Sequence, residues 1–464
     1  MNWKKWISIA AAVCLAVTAV PMRAVAQEEL LQEKMLEEIK EEIKEELKEE
    51  PKEEKEEPKE EKEEKEEKEE LQEQSDEKIE PQEKSKKELL KGISLLMEEE
   101  NSTVVSENET ADFEGAGTEK NPYEIRNAED LKLLAENVNS GVTYKDKHFQ
   151  LTVDIDLNNE PWTPIGKSGL PFQGTFDGNG HQITKLKITG GSYAGLFGNV
   201  WGATIQNCNV TGEINGYNYT GGIVGSANVN TKIRNCSFQG NVEGNGEERG
   251  GIVGDTSSGC EVSGCFVTGK VKGSKSVGGI AGNGVGKIKN CYALADVTAT
   301  GVNAGGIAGY AYGITIENCY YSGKVSAKWA GGIAGYVSKP ISGSTEIKNC
   351  VSLAERVTGS NANRIAGEND ATLTNNYAWN GTKVSGSATP DGADLAYTNG
   401  TLSPQFSAIF GEDNSAWKFT EDGLPILNDV GGTQSAYLPP YLTGEGFYGK
   451  GTAETLMRFA MSMI

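Results

Sequence analysis

Seven cysteines follow residue 27, and six of them keep a common step: Cys208, Cys236, Cys265, Cys291, Cys319 and Cys350, with Cys260 as the extra one. An odd number leaves at least one thiol unpaired within a monomer. No Cys-x-x-Cys occurs, and only His148 and His181 could assist in holding a metal. His148 runs into Phe-Gln-Leu-Thr and His181 into Gln-Ile-Thr-Lys, so neither opens the His-Glu-x-x-His helix of zinc hydrolases. Two histidines also give a Ser-His-Asp triad little to build on. Acids are more numerous. Glu213, Glu243, Glu247, Glu248, Asp255, Glu261, Asp296 and Glu317 are scattered along the middle of the chain, and only Glu247, Glu248 and Arg249 form a local cluster. Glycoside cleavage needs two carboxyls within about 5–10 Å, which neighbouring units of a repeat could supply. Asp154 and Asp156 are the candidates for calcium, or else for satisfying backbone donors. We expect no cofactor and no catalytic residue.

Aromatic residues are the other asset. Tyr292 and Tyr320 follow a cysteine, Tyr310 and Tyr336 follow a glycine motif, and Trp329 lies between. These five are the candidate binding residues, as a platform for sugar rings or a protein partner. Ladder stacking that stabilises one face of the fold is the alternative.

The elements that would position these residues repeat. Gly195-Leu-Phe-Gly198, Gly222-Ile-Val-Gly225, Gly251-Ile-Val-Gly254, Gly279-Ile-Ala-Gly282, Gly306-Ile-Ala-Gly309, Gly332-Ile-Ala-Gly335 and Arg364-Ile-Ala-Gly367 close at intervals of 27, 29, 28, 27, 26 and 32 residues. The Asn-Cys step falls about midway. Each unit holds two or three short β-type runs between Gly, Asn and Ser, without helical periodicity. Roughly 27 residues suits one coil of a parallel β-solenoid. Equivalent residues then stack every ~4.8 Å. Ile223, Ile252, Ile280, Ile307 and Ile333 form one inward ladder and the six cysteines another. That spacing exceeds the ~3.5–4.5 Å between Cβ atoms of a disulfide, so the ladder is expected to be thiols packed like small hydrophobes. A Cys260–Cys265 bridge is the one pairing left open. Asn before Cys takes the bend, because Asn tolerates a positive φ.

These motifs, with the lead-in Asn121-Pro-Tyr-Glu-Ile-Arg, Leu151-Thr-Val-Asp-Ile-Asp-Leu157, Trp162-Thr-Pro-Ile-Gly166 and Phe172-Gln-Gly-Thr-Phe-Asp-Gly-Asn-Gly-His181, resemble the GLUG repeat of bacterial secreted and surface proteins. The resemblance covers roughly residues 113–427. It implies a right-handed parallel β-helix like that of pectate lyases, and an extracellular setting. It implies no activity, because such repeats occur in adhesin-like proteins and as accessory regions of immunoglobulin A peptidase-like surface proteins.

The chain has 464 residues and a net charge of -23. Residues 28–100 carry 32 acidic and 15 basic side chains, so most of the excess is one segment. Nucleic acid is excluded as a natural partner, since phosphate binding calls for a basic surface. Residues 1–26 read as a secretory signal with Lys4 and Lys5, an apolar middle and a cleavage site after Ala26. Its apolar run is short for a membrane span, and no span is expected once it is removed. Residues 27–100 read as a Glu/Lys-rich spacer, partly helical, with Leu36, Ile39, Ile43 and Leu47 at helical spacing. Self-association through residues 30–47 is the sharper reading of that stretch. Residues 101–112 form a linker. Residues 113–199 are the N-terminal cap and first coils, with Asn127 capping a short helix that Gly141 stops. Residues 200–380 are repeats, 381–430 a closing segment and 431–464 a tail.

The sequence therefore predicts a mainly β, secreted or cell-surface solenoid that binds an extracellular polysaccharide or surface protein without cleaving it. A carbohydrate-active β-helix enzyme and a structural spacer of the cell envelope are the alternatives.

Overall fold

The computed structural model describes residues 113–341, 343–385, 391–396, 402–420 and 423–443. The expected signal segment, the Glu/Lys-rich stretch with the expected self-association at residues 30–47, the linker up to residue 112 and residues 444–464 lie outside the described residues. The remainder is the expected right-handed parallel β-helix in kind: a parallel solenoid in which every coil pairs with the next at a separation near 27 residues. Three parallel sheets run along it, with 15, 11 and 6 strands. The first sheet merges two strand columns, because Ala281–Lys289 and Ala308–Glu317 pass through both without a break. The second sheet holds the strands that follow each cysteine, such as Phe266–Gly273 and Tyr292–Ala299. The third holds the short strands before each glycine motif, such as Asn303–Gly305 and Trp329–Gly331.

The interior is built from ladders. Ile223, Ile252, Ile280, Ile307 and Ile333 are fully buried, and their backbone amides bond from coil to coil. The six stepped cysteines are buried free thiols, each donating to the carbonyl two residues before it, as Cys265 does to Ser263 at 3.3 Å. Burial pushes the Cys236 and Cys265 thiols well up. Cys260 and Cys265 are both unbridged: Cys260 sits in the turn before its strand and donates to Ala227 O, away from the ladder.

Each Asn before a cysteine adopts a left-handed backbone, as does Asn375, which Asn376 follows in place of a cysteine. Asn207, Asn235, Asn290, Asn318, Asn349 and Asn375 have φ between 50° and 52°, and Gly264 takes the same bend at 60°. Their amides link vertically, Asn349 to Asn318 at 3.0 Å and Asn375 to Asn349 at 2.7 Å. The closing glycine of each motif answers a different constraint. A Cβ on Gly282 would lie 2.3 Å from the backbone nitrogen of Arg249 in the preceding coil. The first and third sheets therefore meet at a corner too tight for any side chain.

Helix α1 (Ala128–Asn139) covers the N-terminal end. The Asn127 side chain accepts from the Asp130 amide, and Leu131, Leu134 and Val138 are buried in the core. Gly141 follows the helix at φ 116°.

The C-terminal region departs from the expected single closing segment. Closure of the last coil falls to residues 391–395. Asp391 accepts from the Ile365 and Ala366 amides, and Ala393–Leu395 pairs with Tyr377–Trp379. Residues 402–443 instead lie as a strap along the outer face of the second sheet. The strap contains helix α2 (Ser403–Phe410), the antiparallel pair Trp417–Lys418 and Ile426–Leu427, and helix α3 (Pro440–Thr443). It carries its own apolar cluster, in which Phe406, Phe410, Trp417, Leu424 and Leu427 pack on Phe266, Tyr292, Tyr320, Val351 and Leu353. Its anchors span six rungs. Gly431 touches Asn209 and Gly432 touches Ser237, while Tyr441 donates to Leu353 O at 2.9 Å. Part of the predicted tail, residues 431–443, thus belongs to the fold.

Candidate functional site

The strap corrects two of the five candidate binding residues. Tyr292 and Tyr320 are fully buried, because they point outward from the second sheet into the strap. Phe266, Tyr292 and Tyr320 form one stack with centroids 5.0 and 4.9 Å apart. Tyr320 donates to Pro425 O at 2.9 Å and Tyr292 to Gln434 Oε1 at 3.1 Å. Here the ladder reading of the aromatics holds. No ligand can reach these rings while the strap is in place.

Tyr310, Tyr336 and Trp329 occupy a different place and are part-exposed. They line the corner between the first and third sheets. One wall is the outward row Asn199, Ser226, Asp255, Asn283, Tyr310, Tyr336, Glu368. The other is Ser276, Asn303, Trp329, Asn361, and Glu248 takes the equivalent position one coil earlier. The two walls touch within a coil: Asn361 Nδ2 donates to Glu368 at 3.2 Å, and Trp329 meets Tyr336 edge-on at 5.3 Å. The closing glycines form the corner itself. The result is a groove parallel to the solenoid axis, with one position per wall per coil.

The aromatic part of the groove is continuous. Tyr310 stacks on Tyr336 at 5.7 Å and on Tyr312 at 6.4 Å, and the Tyr310 hydroxyl bonds to Ser338 Oγ at 2.8 Å. The Lys328 ammonium sits 4.2 Å over the Trp329 ring. Beside this cluster three buried polar atoms have no partner among the described residues: Asn283 Oδ1, Asn303 Oδ1 and Trp329 Nε1. Farther along, Asp255 accepts from Asn283 Nδ2 at 2.7 Å, and burial pushes its carboxyl up to about 6.

The remaining candidates are structural. Arg249 is an arginine of the solenoid core, fully buried at the register position of Val277 and Thr220. It donates to the carbonyls of Gly216, Tyr217 and Gly246, and burial pulls it down to about 10. Its neighbour Glu247 pairs with Lys275 at 3.0 Å. Asp154 accepts from Gln182 N and meets His181, and Asp156 accepts from Asn158 N and Lys185. Both carboxyls are held below their usual range, Asp154 chiefly by the Gln182 amide and Asp156 chiefly by Lys185. Among the described residues no three His, Cys, Asp or Glu side chains converge as a metal site would require. No described helix is long and apolar enough to cross a membrane.

Asn283 and Asn303 were not singled out by sequence reasoning. The signal was available: a residue of the third sheet and its partner across the corner are seven apart in every coil from Glu248 onward.

The GLUG motif model matches residues 300–326, the coil that carries Asn303 and Tyr310. The chain is 37% identical over 108 residues to a "putative Gly-rich membrane protein" of Evansella cellulosilytica, covering 21% of this chain and 12% of that one. It is 32% identical over 156 residues to halomucin of Haloquadratum walsbyi, covering 29% of this chain and 2% of that one. The chain therefore spans a small part of the length of these relatives. Among solved structures, a "putative immunoglobulin A1 protease" from Bacteroides ovatus aligns with a TM-score of 0.48 and 25% identity, over 68% of this chain and 94% of that one. The motif match and the glycine-cornered coils agree: over residues 300–326 the chain is similar to the GLUG motif, and that stretch is one coil of the β-solenoid.

Proposed function

We propose that the chain is a secreted or cell-surface binding protein that holds an extracellular polysaccharide or surface protein without cleaving it. In this reading residues 1–26 are a signal removed after Ala26, and residues 27–100 space the solenoid from its surroundings. The observation that carries it is the corner groove, which presents Trp329, Tyr336 and Tyr310 in register. A groove with one position per coil suits an extended polymer, because many weak contacts add along its length. The two sequence relatives, a Gly-rich membrane protein and halomucin, are in keeping with a surface role. The test is retention of the full chain on a panel of bacterial and host polysaccharides, with polymer length measured in the same tubes. Retention with unchanged length is expected.

A carbohydrate-active enzyme is the second reading. It is favoured by Glu248 and Asp255, which take the positions that Trp329 and Tyr336 occupy three coils later. A carboxyl near 6 is suited to exchanging a proton near neutral pH. Shortening of a polymer that is lost in Asp255→Asn would establish this reading in place of the first.

A further inference from the structure

We propose that the corner groove between the first and third sheets is a binding site for a single strand of uncharged polysaccharide, centred on Trp329, Tyr336 and Tyr310. The inference rests on the surface-binding reading and specifies its ligand chemistry.

Three observations converge on this class. The first is aromatic surface on both walls, the outer edges of the stacked Tyr310 and Tyr336 rings on one and Trp329 on the other, apolar bodies with polar tips that suit the mixed surface of a sugar. Tyr310 and Tyr336 come from adjacent coils with centroids 5.7 Å apart, close to the length of one sugar residue in an extended chain. The second is the set of unpartnered atoms beside those rings. Asn303 is more than nine-tenths buried and its Oδ1 has no partner, and Asn283 Oδ1 and Trp329 Nε1 share that condition. Two acceptors and one donor call for hydroxyl groups, which both give and accept. Leaving such atoms unmatched is costly to a fold, and a ligand that matches them is preferred over one that does not. The third is charge. Asp255, Glu248 and Glu368 line the same groove, and Lys328 is engaged with the Trp329 ring. A polyanion would meet the like charge of Asp255 and Glu368 along this wall.

The test uses the full chain on two insoluble matrices, a neutral glucan and cross-linked polygalacturonate. Retention on the glucan is expected, and it should persist in 0.5 M salt because it depends on stacking and hydroxyl contacts. Tyr336→Ala and Tyr310→Ala should each weaken it about tenfold, equivalent to ~1.4 kcal/mol. Trp329→Phe keeps an aromatic face but removes the unpartnered N–H together with part of the indole ring. It should weaken binding while leaving the thermal midpoint unchanged or raised, which a purely structural role would not produce. Tyr217→Ala, at an exposed tyrosine in another turn, should change nothing. Retention on polygalacturonate alone, or glucan retention untouched by the three groove variants, would overturn the groove proposal and leave the surface-binding reading standing. Retention on neither matrix would overturn the groove proposal, and retention on no polymer of the panel would also remove polysaccharide from the surface-binding reading and leave only a protein partner.

Discussion

Tyr292 lies flat on Tyr320, with ring centroids 4.9 Å apart and planes within 7°. Both rings point away from the solenoid core, and Trp417 closes over them at 6.1 and 5.7 Å. A face that would otherwise be an aromatic strip in water is thereby made into a second core. Trp417→Ala should remove the lid of that core and cost about 3–5 kcal/mol, shared between the strap and the coils beneath it. Limited proteolysis reads the effect directly: new cleavage is expected between residues 411 and 433, while the coils remain resistant. Unchanged resistance of the strap would show that Trp417 does not hold it.

The bend before each cysteine should tolerate glycine better than alanine. Asn235 has φ 52°, and Gly264 occupies the same place one coil on. Asn235→Ala keeps the Cβ in the left-handed region but loses the polar side chain that makes it tolerable there, at a cost of about 1–2 kcal/mol. Asn235→Gly should cost less. Urea midpoints decide it, and equal losses in the two variants would mean that the side-chain ladder, and not the backbone, sets the requirement.

Gly282 should be intolerant of even one methyl group. The added Cβ meets the Arg249 backbone nitrogen at 2.3 Å, and backbone in a paired strand cannot move aside. Gly282→Ala is expected to lower stability by about 1–3 kcal/mol or more, seen as a lower thermal midpoint. A midpoint within a degree of the parent would show that the corner is looser than its geometry states.

Asp255 should make the fold less stable as pH rises. Its carboxyl is raised to about 6 in the fold, against ~3.9 in an unfolded chain. The native state then holds the proton more tightly. Its favourable contribution is full below about 4 and is lost as pH climbs through about 6. The difference in urea midpoint between pH 4 and pH 7 should therefore shrink in Asp255→Asn. An identical difference in parent and variant would remove Asp255 as the group responsible.

The seven described thiols should be silent in the native protein. All are buried and unbridged, and for Cys208, Cys236, Cys260, Cys265 and Cys319 burial disfavours the reactive thiolate. Ellman's reagent should label them no faster than the protein unfolds, and promptly in denaturant. Rapid labelling of any one would show that this cysteine is not buried as described.

The coil was legible in the sequence because its constraints are local and repeat. A bend that requires a positive φ selects Asn or Gly in every coil, and an inward ladder selects Ile or Cys in every coil. The N-terminal helix was legible for a similar reason: Asn127, Leu131, Leu134, Val138 and Gly141 mark its start, face and stop within one short window. The strap was not legible, because the contacts that define it are made once and at long range. Tyr292 and Gln434 are separated by 142 residues, and nothing near either of them announces the other. For that reason an exposed position in the coil pattern was read for Tyr292 and Tyr320, although both are buried. The groove fell between these cases. Tyr310, Tyr336 and Trp329 stood out as aromatic residues, whereas Asn283 and Asn303 look like any turn residue until the corner brings them beside those rings.

Stacked coils are in principle free to vary in number, since one more coil adds about 4.8 Å of length and disturbs only its neighbours. The strap removes that freedom. It touches Asn209 at one end and Leu353 at the other, so a coil gained or lost between them would carry its anchors out of reach. The strap acts as a ruler laid against the solenoid. Duplication of repeats should be tolerated outside the span it measures and penalised within it.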